Sequence, residues 1–131
     1  MSIERAEFVG DSPLRVEILD GGIVELLYPL VFRSREFDRI FYAPIGFRSD
    51  LASVPRLPVV YWLAANRIFK SAVMHDAALN DMSREDAATL FLECMEAEGI
   101  SEPLRSAAYL AVKLNDQGYQ PAPDDVPPID D

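Results

Sequence analysis

The chain has 131 residues, enough for one folded domain and too few for two independent hydrophobic cores. Half of the residues are hydrophobic and 26% are charged, a balance typical of soluble globular proteins and not of disordered ones. The 22 acidic residues outnumber the 12 basic ones and give a formal net charge of -10. Because such a molecule repels a phosphate backbone, we expect no nucleic acid among its partners.

Cys94 is the only cysteine, which excludes a disulfide within the chain and a zinc site built on cysteines. Its place in an apolar helical pattern predicts a small core residue. The first seven residues are charged and no hydrophobic run follows them, so we expect no signal peptide. No apolar run approaches the roughly 18–20 residues of a membrane span. We therefore expect a protein without a membrane span, kept in a reducing compartment.

The first half of the chain has the pattern of β-strands. Residues 14–19 alternate apolar and polar side chains, and residues 23–32 form a β-branched and aromatic run. Between these two segments, Asp20 and Gly21 favour the positive φ angles that a tight hairpin turn requires. The three segments together predict a β-hairpin.

A third strand is predicted after this hairpin. Pro29 has no N–H to donate, so we expect it at the edge of a sheet or at a bulge. Residues 33–36 form a polar break, and residues 37–42 then resume an apolar and aromatic pattern. The first half of the chain therefore predicts one small, mostly antiparallel sheet of three to five strands.

The second half has helical spacing. The dense large apolar side chains of residues 58–65 indicate a short buried helix. A central helix is predicted over residues 67–79, and its apolar face consists of Ile68, Ala72, Val73 and Leu79. Ser83 suits the start of the next helix, because its hydroxyl can accept a hydrogen bond from the backbone of Glu85 or Asp86.

The pattern of the last two helices is also regular. The helix after Ser83 has a predicted apolar stripe of Ala87, Leu90, Phe91 and Cys94. Gly99 is expected to end it in a left-handed conformation, and a last helix opens at Ser101. The predicted buried face of this last helix consists of Leu104, Ala107, Ala108, Ala111 and Leu114.

These elements predict an α+β fold in a single domain over residues 1–117, with the sheet in the N-terminal half and three or four helices in the C-terminal half. Residues 118–131 contain four prolines and four aspartates and little hydrophobic bulk. Such a segment cannot bury enough apolar surface to offset its ordering entropy, so we expect a flexible tail.

A short connection joins the strand-like half to the helical half. Its sequence is Gly46-Phe47-Arg48-Ser49-Asp50-Leu51-Ala52-Ser53-Val54-Pro55-Arg56. A glycine, an acid, two serines and a rigid Pro-Arg step within one connection are typical of a structured loop. Such loops often carry functional residues.

His75 and Asp76 are the first candidates for chemistry. A histidine beside an acid can serve as a general base or as a metal ligand. Adjacent residues on a helix do not face each other, so we expect the pair to address a third group, either Asp50 or Ser53 of the connecting loop. The alternative is structural, with His75 bonded to the backbone of that loop as a satisfied core histidine.

Asp50 and Ser53 each have a structural and a functional interpretation. Asp50 can cap the following backbone or bind a metal. Ser53 lacks the Gly-x-Ser-x-Gly environment of an α/β-hydrolase nucleophile, and only one histidine exists to act as its base.

Three further residues are candidates for binding. Arg56 can pair with an acid inside the fold or bind a substrate anion. Tyr61 and Trp62 belong to an aromatic cluster that we expect in the core or at an oligomer contact, with a ligand platform as the alternative.

Three stretches of the sequence together resemble a family of uncharacterised proteins common in tailed bacteriophages and prophages. They are residues 43–56, the run Ala72-Val73-Met74-His75-Asp76, and Ser83-Arg84 with Phe91 and Met95. The most specific parts are the Gly-Phe-x-x-Asp-Leu-Ala-Ser-Val-Pro-Arg string and the His-Asp pair. The resemblance covers residues 37–114 and implies a phage context.

The resemblance also indicates an incomplete catalytic site. Members of the family usually have a tyrosine four residues after the histidine and an aspartate on the following helix, similar to the His-Asp-x-x-Tyr helix of secreted phospholipases A2. In this chain the two positions hold Leu79 and Ala88, with Asp86 nearby. The glycine-rich calcium loop of those lipases is missing as well.

Two functions agree with this sequence. The first is a non-enzymatic component of the phage tail or head that contacts other phage proteins, is made in the host cytoplasm and enters the virion, with no cofactor. The second is a small hydrolase of phage origin in which His75 is the base and Asp50 or Asp76 binds a divalent metal. Both functions allow an oligomer.

Overall fold

The computed structural model describes residues 2–10, 13–50 and 65–118. In these residues the chain forms six short strands and a 3₁₀ turn, followed by three helices. The strands are β1 (Glu7–Phe8), β2 (Val16–Ile18), β3 (Ile23–Leu26), β4 (Leu30–Ser34), β5 (Arg39–Ala43) and β6 (Arg48–Asp50), with the 3₁₀ turn at Asp20–Gly22. The helices are α1 (Ala65–Ala78), α2 (Arg84–Ala97) and α3 (Glu102–Gly118). This order confirms the predicted α+β class.

The predicted hairpin is present as β2 and β3, which pair antiparallel around the 3₁₀ turn. The Leu19 N–H donates to the Ile23 carbonyl at 2.7 Å and closes the turn. Gly21 has φ 78, the left-handed region in which glycine avoids the strain of a Cβ atom.

The strand predicted over residues 23–32 is wrong as a single element, because the chain bends between β3 and β4. In antiparallel register, residues 23–26 lie opposite residues 47–50, and residues 30–34 lie opposite residues 39–43. The same two segments of the chain therefore pair on both sides of the bend. We call this paired structure the bent ribbon. Pro29 and Pro44 both lie at the bend, where neither can donate a ladder hydrogen bond. The polar break is also shifted, since Arg33 and Ser34 belong to β4.

Two sheets form where one was predicted. The first has the strand order β1-β4-β5 and the second has the order β2-β3-β6. Each sheet consists of one limb of the bent ribbon with one added strand, β1 or β2, on the same side of it. The two-residue strand β1 has no signal in the sequence pattern, because two residues show no periodicity.

The helix ends follow local sequence signals. The Ser83 hydroxyl accepts from the Asp86 N–H at 3.0 Å, as predicted. Gly99 has φ 76 and donates to the Glu96 carbonyl at 3.0 Å, while Ile100 N–H reaches the Met95 carbonyl at 3.1 Å. These two bonds are the Schellman arrangement that ends a helix at glycine.

Helix α2 lies between two hydrophobic clusters. One face packs against α1 and the strands, in a cluster that includes Leu30, Phe32 and Leu90. The other face packs against α1 and α3, in a cluster that includes Phe91 and Met95. All four predicted residues of the α2 stripe are fully buried, including Cys94.

The predicted helix faces are largely confirmed. In α1, Ile68, Ala72 and Val73 are buried, but Leu79 is 37% exposed because the helix ends one residue before it. In α3, Ala108 is buried while Leu104 and Ala107 are half-buried. The remaining predictions, namely the side chains of Ala111 and Leu114, the short helix before residue 65 and the tail after residue 118, lie outside the described residues.

A carboxylate of α2 holds the turn between β4 and β5. Glu93 accepts from the Ser34 hydroxyl at 2.7 Å and from the backbone N–H groups of Arg35 and Glu36 at 2.8 and 2.9 Å. The Ser34 hydroxyl also accepts from the Phe37 N–H at 3.0 Å. One acid therefore satisfies the polar groups of the turn and ties the first sheet to α2.

A helix long and apolar enough to cross a membrane is not found in residues 2–10, 13–50 and 65–118.

The burial of Cys94 predicts a thiol that does not react in the native state. Burial raises its pKa well above the usual value, Glu93 and Glu98 raise it further, and Lys70 opposes them. Because the thiolate is the reactive form, we expect iodoacetamide at about pH 8.5 to label the native chain at least about a hundredfold more slowly than the unfolded chain. Mass spectrometry of timed samples measures both rates. Equal rates in buffer and in guanidinium would contradict the packing described for α2.

Candidate functional site

The candidate site lies where β6 passes α1. Ser49 pairs with Val24 in the second sheet, and its side chain is only 4% exposed. Its hydroxyl donates to Oδ2 of Asp76 at 2.5 Å. A hydrogen bond therefore joins Ser49 of the ribbon to Asp76 of the central helix, 27 positions later in the sequence.

The carboxylate of Asp76 also contacts the neighbouring imidazole. His75 Nδ1 lies 3.4 Å from Asp76 Oδ1, an ion-pair distance that is longer than a good hydrogen bond. Asp76 contacts Ser49, a residue that the sequence did not single out, and the predicted third groups, Asp50 and Ser53, stay a prediction. Asp76 thus stands between a strand hydroxyl and a helix imidazole.

His75 is buried against α2. The residue is only 7% exposed, and its ring centroid lies 5.7 Å from that of Phe91. Its Nε2 atom is buried and finds no hydrogen-bond partner among the described residues, and the same holds for the Ser71 hydroxyl one turn earlier on α1. Unpaired buried polar atoms are uncommon in folded proteins, so His75 Nε2 and the Ser71 hydroxyl are an unusual feature of the core.

The arrangement suits chemistry at Nε2. A ring nitrogen with its lone pair free is what a general base or a metal ligand offers, and Nε2 has no partner among the described residues. The Asp76 carboxylate lies beside the other nitrogen, Nδ1, at 3.4 Å. The Ser49 hydroxyl in turn fixes the carboxylate. The same chain of contacts also serves stability, because it joins β6 to α1.

The described residues supply few metal ligands. No group of three or more His, Cys, Asp or Glu side chains that could hold a metal ion occurs in the described ranges. His75 and Asp76 are two side chains of suitable type, and a metal at Nε2 would need further ligands.

The other predicted site residues are only partly described. Asp50 ends β6 opposite Ile23, directly after Ser49, and its side chain lies outside the described part. Ser53, Arg56, Tyr61 and Trp62 lie wholly outside it. The predicted convergence of Asp50 and Ser53 on the imidazole therefore stays a prediction.

Ser49 was missed in the sequence, although a signal for it exists. Phe47 packs against the core, and side chains two positions apart lie on the same face of a strand. Extending β6 from Phe47 places Ser49 on the buried face, where a hydroxyl needs a partner. The pattern does not reveal that this partner is Asp76.

The Gly-Phe step of the connecting loop has a structural explanation. The Gly46 N–H donates to the Leu26 carbonyl at 2.8 Å, and the Leu26 N–H donates to the Phe47 carbonyl at 2.9 Å. Two residues of one strand therefore lie opposite a single residue of the other. Gly46 has φ 91, as the first residue of this type of β-bulge requires. The bulge thus begins β6 and sets the position of Ser49 three residues later.

Comparison with known proteins gives a family and no activity. Residues 24–112 match the model of the family described as "Protein of unknown function (DUF1353)". The matched segment runs from β3 into α3 and contains Ser49, His75 and Asp76. No curated protein and no solved structure matches the chain. The expectation of an uncharacterised family is confirmed, and the phage origin stays an expectation.

The bond between Ser49 and Asp76 predicts a measurable loss of stability when it is removed. Ser49→Ala leaves a carboxylate oxygen without its donor, so we expect the free energy of unfolding to fall by about 1.5–3 kcal/mol. Urea unfolding measures this change. In a double-mutant cycle with Asp76→Asn, we expect a coupling energy of about 0.5–3 kcal/mol.

Ser106→Ala is the matched control for this experiment. The Ser106 hydroxyl donates to Glu102 at 2.6 Å on the exposed surface of α3. Its removal should change stability by less than about 0.5 kcal/mol. A Ser49→Ala effect no larger than that of the control would show that the buried bond contributes nothing.

Proposed function

The chain belongs to the DUF1353 family of proteins of unknown function, and we propose that it is a bacteriophage protein of the tail or head that acts through contacts with other phage proteins. The phage context is supported by the resemblance of the connecting loop and the His-Asp pair to proteins of tailed phages and prophages. In this proposal the protein is made in the host cytoplasm and enters the virion. The net charge of -10 disfavours the phage genome as the partner.

The observation that carries this proposal is an exposed apolar surface at the bend of the ribbon. Leu27, Tyr28 and Ile45 are 51%, 43% and 64% exposed, and all three lie where the two limbs meet. We call these three residues the bend patch. Three large exposed apolar side chains at one bend of the backbone are more typical of a protein-protein contact than single exposed ones, which are ordinary.

The contacts of Ser49, Asp76 and His75 have a structural role in this proposal. They hold β6 on α1, directly after the bulge at Gly46 that forms one side of the bend. A fixed bend presents the patch in one geometry, which lowers the entropy lost on binding. No turnover at His75 is required.

The proposal predicts that the bend patch is needed for incorporation into particles. We expect the triple variant Leu27→Ser, Tyr28→Ser, Ile45→Ser to be reduced at least about tenfold in purified virions, since buried apolar anchors dominate such contacts. Quantitative mass spectrometry of particles measures the copy number. Leu110→Ser on α3 is the control, because Leu110 is 56% exposed on a different surface.

Wild-type chain absent from purified particles would contradict the proposal. So would a triple variant that folds, by circular dichroism, and enters particles at the level of the Leu110→Ser control.

A second candidate function is a small hydrolase, which is favoured by the Nε2 atom of His75, since this atom has no hydrogen-bond partner among the described residues. With Nδ1 beside Asp76, Nε2 is suited to accept a proton from water or to bind a divalent metal. We expect this function to require His75 itself. The first proposal requires a folded chain with its bend patch and no chemistry at His75.

His75→Asn separates the two functions. If the chain is a hydrolase, this variant should lose at least about a hundredfold of any ester or amide hydrolysis, because general base catalysis contributes about 10²–10⁴-fold. Hydrolysis is followed for wild type and variant with added divalent metal and with chelator. Under the first proposal, the folded variant enters virions at the wild-type level and wild type hydrolyses nothing in either condition.

A further inference from the structure

Strand β5 is the longest exposed edge in the described part of the chain. It lies at one end of the sheet order β1-β4-β5 and has five residues. The other edge strands have two residues in β1 and three each in β2 and β6. Short edge strands resist pairing with other chains, so β5 is the edge that offers a template.

The hydrogen bonds of the sheet identify the free backbone groups of β5. The Val9 N–H donates to the Val31 carbonyl at 2.8 Å, so Val31 directs its backbone groups towards β1. The next residue, Phe32, therefore directs its groups towards β5, where it lies opposite Phe41. It follows that Ile40 and Tyr42, on either side of Phe41, direct their N–H and C=O groups towards the open edge.

The side chains of these two residues are also available. Ile40 and Tyr42 are 55% and 59% exposed on the outer face of the sheet, while Phe41 points into the core at 3%. A surface groove of about 200 Å³ runs along residues 39–42 beside the last turns of α1. Its end is marked by the ion pair of Arg39 and Asp81 at 2.9 Å.

The usual guards of an edge strand, an inward charge and a proline, lie only at the ends of this segment, at Arg39 and after Ala43. Lysine, proline or an inward charge would discourage pairing, yet the sequence between Arg39 and Ala43 is Ile-Phe-Tyr. Arg39 is engaged by Asp81 and lies 4.3 Å from the Phe41 ring centroid. Its charge is therefore held at the end of the strand.

We propose that two copies of this chain form a dimer by antiparallel pairing of their β5 strands about a two-fold axis at Phe41. In this register Ile40 lies opposite the partner's Tyr42, and Tyr42 lies opposite the partner's Ile40. The two outward-facing residues then exchange both hydrogen bonds with their counterparts, so all the free groups of Ile40 and Tyr42 are satisfied. Each exposed isoleucine also gains a cross-strand aromatic neighbour.

Among the registers whose two-fold axis passes through a residue of β5, only this one pairs both Ile40 and Tyr42 with residues of the partner strand. An axis at Ile40 or Tyr42 leaves one of these two residues without its counterpart. The contact is smaller than the roughly 1,200–2,000 Å² of standard stable interfaces, so we expect a dissociation constant of about 1–100 μM. The dimer uses β5 and not the bend patch, so it does not depend on the proposed function.

Analytical ultracentrifugation of the full chain tests the dimer. We expect a concentration-dependent shift from monomer to dimer between about 1 μM and about 1 mM. Ile40→Glu and Tyr42→Lys should each weaken the dimer at least about tenfold, because each places like charges on the shared face of the six-stranded sheet. Leu110→Lys, at a position with similar exposure on α3, should dimerise like wild type.

Mixing the two weakened variants tests the register. The carboxylate introduced by Ile40→Glu in one chain would lie opposite the ammonium group introduced by Tyr42→Lys in the other. The unchanged Tyr42 and Ile40 form the second pair, so the mixture should regain dimer that neither variant forms alone.

Three results would overturn the proposal, with circular dichroism confirming that each variant is folded. The first is a wild-type chain that stays monomeric over the whole concentration range. The second is a dimer that neither substitution weakens, and the third is a mixture that dimerises no more strongly than its components.

Discussion

The fold depends on two carboxylates that join the bent ribbon to the helices. Asp76 of α1 accepts from Ser49 on one limb, and Glu93 of α2 accepts from Ser34 on the other. In each bond the donor is a buried serine, at most 4% exposed, and the acceptor is an acid on a helix. Hydrogen bonds to charged groups contribute about 1.5–3 kcal/mol each, and losing one partner leaves the other without compensation. Together they fix how both sheets lie against one helical layer.

The first of these bonds also positions the carboxylate that lies beside His75. The Asp76 carboxylate has one oxygen on Ser49 and the other 3.4 Å from Nδ1 of His75, so it cannot turn without losing one contact. The surroundings of the imidazole are therefore coupled to the position of β6, which the bulge at Gly46 sets. A change in the ribbon reaches the imidazole through a single carboxylate. This coupling exists whether the imidazole serves stability or chemistry.

Local signals in the sequence predicted the helices well. Ser83, Gly99 and the stripe from Ala87 to Cys94 act within a few residues, and the structure places each as expected. Two sheets were not predicted, because the pattern shows which residues can form a strand and not where paired segments bend together. The carboxylate bonds were not predicted for the same reason, since their partners are 27 and 59 residues apart. Burial of Ser49 was accessible from strand alternation, but its partner was not.

The bent ribbon separates two surfaces that a flat sheet would merge. The open edge of β5 ends at Ala43, and the bend patch begins beyond Pro44 with Ile45. The proposed dimer relates the two bend patches by its two-fold axis. Once one patch of the dimer has bound a partner, the other patch binds a neighbouring copy of that partner as an intramolecular event. Two weak contacts then give a combined affinity well above that of either one. Under the proposed function the virion supplies such repeats, and the dimer binds it firmly without a large interface on any single copy.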